Sequence, residues 1–138
     1  MTNDQNLIWS EQYRIGDERI DKEHQYLFEI QRQIADINPA NTSADTVRPI
    51  LNELLDYTQI HFRDEELLMR RIKYSDYELH IKEHMTIVRG LEDLMEEFKL
   101  GYSVTLVDIL RLLEDWIVNH TLSEDMKLAK ALTEFEEP

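Results

Sequence analysis

Four long stretches of helical periodicity, parted by short breaks, leave this sequence few folds to choose from. Between residues 46 and 73 the apolar series Leu51, Leu54, Leu55, Phe62, Leu68, Met69 and Ile72 recurs at the spacing of one buried helix face, and the other three stretches repeat the pattern. With only three glycines and three prolines and no sustained β-branched runs, little argues for strands. The breaks are INPANTSAD, YSD and the segment around Gly101, and long helices joined by short connections pack as antiparallel neighbours. The expected fold is all-α, an antiparallel up-down four-helix bundle with an N-terminal arm, forming one domain over residues 1–138.

Local signals set the expected boundaries. Residues 1–17 carry Trp9, Tyr13 and Gly16 without sustained periodicity and are expected to lie as an arm over the bundle. Helices are expected at about 18–37, 46–73, 76–100 and 105–132. Thr46 is the expected N-cap of the second, which would leave Pro49 in its first turn, where a missing N–H does no harm. Gly101 suits the position just past the third helix, and Thr105 with Asp108 three residues on is an aspartate variant of the capping box.

Composition narrows the chemistry. The chain has no cysteine, so a metal would have to sit on nitrogen and oxygen ligands. Its net charge of −14, from 29 acidic and 15 basic residues, would repel a nucleic-acid backbone. The first residues, MTNDQNLIWS, lack the basic end and apolar core of a targeting signal, and no later run is long enough to span a bilayer. A cytoplasmic protein without membrane insertion is expected.

The histidines are the unusual feature, because all five fall on the apolar faces of their helices. His24 lies among Ile20, Leu27 and Phe28; His61 and Glu65 share the face of Leu54, Thr58 and Leu68. His80 and His84 form H-x-x-x-H in phase with Tyr77, Ile81, Ile87, Val88, Leu91 and Met95, and His120 follows Trp116 and Ile117. One histidine on such a face is ordinarily a satisfied core residue. Here each helix turns imidazole inward and no histidine is left for the surface. A buried glutamate, moreover, needs a partner. Five imidazoles, Glu65 and at least one acid in NHTLSED exceed the four ligands of a zinc site. They suit two adjacent ions bridged by carboxylates, with iron the first choice and manganese or zinc the competitors.

These residues resemble the hemerythrins, above all the bacterial single-domain type. The resemblance runs from Trp9 to Lys127 and is carried by W-x-x-x-Y-x-I-G at Trp9–Gly16, I-D-x-E-H at Ile20–His24 and H-F-x-x-E-E at His61–Glu66. H-x-x-x-H at His80–His84 and W-I-x-x-H-x-x-x-x-D at Trp116–Asp125 complete it. It implies two non-haem irons, one held by His80, His84 and His120 and the other by His24 and His61. Glu65 and Asp125 would bridge them, together with a solvent-derived oxo or hydroxo group. It implies O2 as the ligand, bound reversibly at one iron without enzymatic turnover. The pocket would be walled by Ile20, Leu27, Phe28, Phe62, Ile81, Ile87, Val88, Trp116 and Ile117. Glu66, about 100° around the helix from Glu65, could orient a ligand imidazole or simply face solvent.

Two positions depart from the family pattern. Thr121 stands where isoleucine is common, and Ser123 places a hydroxyl one turn beyond His120, where reaching the pocket would favour irreversible oxidation. No E-x-x-H motif occurs, against the ferritin-like di-iron oxidases. A conflict also arises at the last ligand. An ideal helix sets Glu124 about 40° from His120 and Asp125 about 140° away, so spacing alone selects Glu124 while the resemblance selects Asp125. A π-bulge between them would reconcile the two. The first functional reading is an O2 carrier, store or delivery protein. The alternatives are an O2 or redox sensor acting on a signalling output domain or partner protein, and a protein handling iron, peroxide or NO. The ending LTEFEEP, with no output domain attached, favours the free-standing reading.

Overall fold

Helix α1 (Glu18–Ala35) starts where the Asp17 side chain accepts the Ile20 N–H at 3.0 Å, and α2 (Ala44–Arg71) where Ser43 Oγ accepts the Thr46 N–H at 3.3 Å. The cap of α2 is therefore Ser43 and not Thr46, and the helix begins two residues early. Pro49 falls inside it, beyond the first turn, and leaves the carbonyl of exposed Asp45 to water. Helix α3 (Tyr77–Lys99) follows Asp76, and α4 (Leu106–Trp116) opens on the expected capping box. There Thr105 Oγ1 accepts the Asp108 N–H at 3.1 Å while Asp108 accepts the Thr105 N–H at 2.9 Å. The last helix continues through a π-helical segment, Ile117–Glu124, into α5 (Asp125–Glu134). These observations come from a computed structural model, which describes residues 9–37 and 43–135. Residues 1–8 of the expected arm, most of the first loop and the last three residues lie outside that range.

Two helices end alike. After α3, Gly101 takes φ +91°, and the N–H groups of Gly101 and Tyr102 bond the carbonyls of Phe98 (3.1 Å) and Glu97 (3.0 Å). After α2, Lys73 takes the same left-handed turn at φ +55°, with Lys73 and Tyr74 bonded to Arg70 (3.2 Å) and Met69 (2.9 Å). A left-handed lysine costs roughly 1 kcal/mol, which explains why the expected helix ran on to residue 73.

The helices close an antiparallel four-helix bundle in which α1 packs on α2 and α4, and α3 on α2 and α4. Among the described residues there is no strand, and no helix is long and apolar enough to cross a membrane. The arm from Trp9 is pinned to α1 by buried Asp21, whose carboxylate accepts the N–H groups of Ile15 (2.7 Å) and Gly16 (3.2 Å), while Tyr13 stacks on Phe28. The apolar core comes in two parts. One joins Leu27, Phe28, Leu54, Phe62, Leu113 and Ile117; the other joins Ile15, Ile20, Leu68, Met69 and Leu128. On every helix the histidines and buried acids fall between residues of one part and residues of the other, so a polar layer sits between two apolar plugs.

Candidate metal centre

All seven expected ligands lie in that layer, and none is more than 2% exposed. Ligand atoms of Glu65, His80, His84 and His120 form one group, and those of His24, His61, Glu65 and Asp125 another, each with its atoms within 4.8 Å of one another. Glu65 belongs to both. Its Oε1 stands 2.7 Å from His80 Nε2, 2.8 Å from His84 Nε2 and 3.4 Å from His120 Nε2. Its Oε2 faces His24 Nε2 at 3.6 Å and His61 Nε2 at 3.7 Å. Asp125 divides its oxygens the same way, Oδ1 at 3.0 Å from His80 and His120 and Oδ2 at 3.0 Å from His24.

The π-helical segment brings Asp125 there. Its backbone N–H bonds the carbonyl of His120, five residues back, so the chain takes an extra residue in this turn and Asp125 returns over His120. Glu124 is displaced toward solvent, where it pairs with Lys127 at 3.2 Å. Ser123 is exposed and its hydroxyl approaches Glu124, so it does not enter the core; buried Thr121 does.

The donor set fits cations. Buried His24 Nε2, His61 Nε2, Glu65 Oε2 and both Asp125 oxygens have no aligned hydrogen-bond partner, although neighbours stand 3.0–3.7 Å away. Atoms that converge at such distances without pointing at one another are arranged around a third party. In the metal-free protein protons fill that role. Burial works against charge on His24 and His80, but Asp125 and Glu65 outweigh it and push both up to about 9. His120 is also raised, against burial, by Asp125 and Glu65. Burial would raise Glu65 and Asp125, yet the surrounding imidazoles hold both carboxyls below their usual range. Burial and the charge on His24 push His61 down to about 3.

Three imidazoles are fixed from behind by acid side chains, of which Glu23 is itself pushed up to about 9 by burial and by Asp64. Glu23 accepts from His61 Nδ1 at 2.6 Å, Glu66 from His84 Nδ1 at 2.9 Å and Glu83 from His120 Nδ1 at 3.3 Å. Each fixes the tautomer that leaves Nε2 free to ligate. Glu66 thus takes the orienting role that the sequence left open. Glu23 and Glu83 went unrecognised, although each directly precedes a ligand histidine. The adjacency misleads, because each acid serves the histidine of the next helix: α1 supports α2, α2 supports α3, and α3 supports the last. Phe62 lies flat on His84, with ring centroids 3.7 Å apart, and its edge meets Trp116 at 5.3 Å. Of the expected pocket walls, Ile20, Leu27, Phe28, Phe62, Trp116 and Ile117 are buried, and Ile81, Ile87 and Val88 are partly so.

A bundle with a histidine–carboxylate layer sharing two acids between two ligand groups defines a class of helical cation-binding proteins. Residues 15–132 match the family model described as the hemerythrin HHE cation binding domain, and the chain belongs to the hemerythrin family. It is 31% identical over 100 residues to a bacteriohemerythrin of Methylococcus capsulatus, covering 72% of this chain and 76% of that one. To a bacteriohemerythrin of Campylobacter jejuni it is 28% identical over 116 residues, covering 84% and 87%. A crystal structure of wild-type hemerythrin superposes with a TM-score of 0.81 at 26% identity, over 93% of this chain and 98% of that one.

Proposed function

We propose that this chain is a non-haem di-iron protein that binds and releases O2 without consuming it. The observation that carries the reading is the split of Glu65 and Asp125, each offering one oxygen to either ligand group. His80, His84 and His120 would hold one iron and His24 and His61 the other, with an oxo or hydroxo group as the third bridge. Imidazole and carboxylate without thiolate favour iron over softer metals. The irons would supply the electrons shared with O2, and the protein's own part is to position and to exclude. Glu23, Glu66 and Glu83 hold three imidazoles in the ligating orientation, and the two apolar plugs keep water and proton donors away. The second group has one histidine fewer, and an open position for a small ligand would fall on that side.

Metal analysis with anaerobic O2 titration tests this. About two irons per chain are expected, with visible absorption that bleaches on reduction and returns with O2. One zinc per chain, or iron retained after replacing His80 and His84 with alanine, would overturn the reading. A sensor reading shares the same centre and differs in requiring a conformational response, which is tested below.

A further inference from the structure

A cleft opens at the surface between α2 and α3, behind the centre, and encloses about 340 Å³, enough for a small organic molecule. Phe62, Met85 and Val88 give it an apolar lining, and an arginine stands on either side, Arg63 on α2 and Arg89 on α3. Buried His84 and partly buried Glu66 line it too.

The two arginines are unspent. Acidic residues outnumber basic ones 29 to 15, so a guanidinium on this surface readily finds a carboxylate. Arg14 pairs with Glu11 at 2.8 Å, Arg32 with Glu29 at 3.5 Å and Arg19 with Asp64 at 3.9 Å, while Arg48 lies over the Phe98 ring and Arg70 donates to the Tyr77 hydroxyl. Among the described residues, exposed Arg63 and Arg89 have no such partner. Glu66 is turned to His84 Nδ1 at 2.9 Å, and Glu92, which also lines the cleft, stands within ion-pair distance of neither arginine. Arg111 is unpaired as well, but it lines the groove between α3 and α4 among Asp93, Glu97, Asp108 and Asp115, whose charge turns anions away.

We propose that this surface cleft binds a small organic anion, a flat apolar body ending in a carboxylate, with the carboxylate held between Arg63 and Arg89 and the body against Phe62, Met85 and Val88. The site lies outside the bundle core and stands independently of the di-iron reading. Guanidinium suits a carboxylate because its planar fork offers two parallel donors. A thioether and a ring suit an aromatic body, and Met85, 58% exposed, is apolar surface that an occupant would remove from water. The net charge of −14 opposes any anion at long range, but salt screens exposed charges beyond about 8 Å, so the two contacting arginines decide the local balance. An occupant would cover the outer side of Glu66 and shield from water the bond that orients His84.

Naphthoate is the probe, titrated calorimetrically into the full-length chain, both iron-loaded and metal-free. Saturable one-to-one binding is expected in both forms, with uncharged naphthylmethanol, and acetate, which lacks the apolar body, each bound at least about tenfold more weakly. Arg63→Gln and Arg89→Gln are each expected to weaken naphthoate about tenfold with the melting temperature unchanged. Arg111→Gln, which removes the same charge from the acidic groove, is expected to leave it unchanged. The Met85 methyl resonance of the unaltered chain is expected to shift along the same saturation curve, a reading that needs no arginine variant. No saturable binding, an unmoved Met85 resonance, equal weakening by all three substitutions, or naphthylmethanol bound as tightly as naphthoate would each overturn the site. Binding to the iron-loaded chain alone, insensitive to Arg63 and Arg89, would place naphthoate on the metal and overturn it also. Failure of the chain to bind iron would overturn the di-iron reading and leave this inference standing.

Discussion

Asp125 Oδ1 lies 3.0 Å from His120 Nε2, although five positions separate the residues and a regular helix would point them about 140° apart. The π-helical segment, Ile117–Glu124, makes up the difference. Exchange at Asp125 and at Glu124 should therefore have opposite outcomes. Asp125→Ala is expected to abolish or halve iron content, and Glu124→Ala to leave iron and O2 binding nearly unchanged. Iron analysis of both variants checks this, and the reverse result would mean that a straight helix presents Glu124.

The carboxylates behind the imidazoles should matter through orientation. Glu66→Gln keeps a hydrogen-bond acceptor for His84 Nδ1 and is expected to retain iron, whereas Glu66→Ala should lose about 10- to 100-fold in iron affinity. Competition with a chelator gives the ratio. Equal affinity of the glutamine and alanine variants would assign Glu66 no role at the centre.

The metal-free protein should be less stable in mild alkali. His24 and His80 have folded values near 9, above the ordinary 6.5, so their contribution is complete below pH 6.5 and is lost as pH rises through 9. Melting temperature should fall by ~5 °C or more across that window. Bound iron would replace the protons, so the loaded protein should show no such loss, and loading near pH 7 should release a proton from each of His24, His80 and His120. A flat metal-free profile from pH 6.5 to 9 would contradict the charge balance described here.

Carrier and sensor readings differ in motion. A carrier gains nothing from rearrangement, whereas a sensor requires one conformation to bind O2 better than another. Hydrogen exchange of reduced and oxidised protein is expected to match over the arm at 9–20 and over α5. Changed protection there would favour the sensor.

Helix number and order, the five inward histidines and Glu65 were legible because they interrupt apolar stripes at helical spacing, whereas Asp125 came from the family resemblance alone, since spacing selected Glu124. The π-helical segment was not legible from periodicity, since Ile117, His120 and Thr121 read equally well on a straight helix; only the clash between Glu124 and Asp125 betrayed it. The cap at Ser43 was missed because Thr46 offers the same chemistry three residues on. Glu23 and Glu83 were missed because their partners are fixed only by which helix stands beside which.

That last dependence bears on how the chain settles its handedness. Four helices with inward apolar stripes can close either clockwise or anticlockwise, and both closures bury nearly the same hydrocarbon. In the mirror closure, the flank of α1 carrying Glu23 would face the fourth helix and leave His61 without its carboxylate; Glu66 and Glu83 would likewise be turned from His84 and His120. Three buried imidazoles would lose their acceptors together. The ring of acids thus works as a key cut for one sense of winding, selecting between two bundles that oil alone would scarcely tell apart.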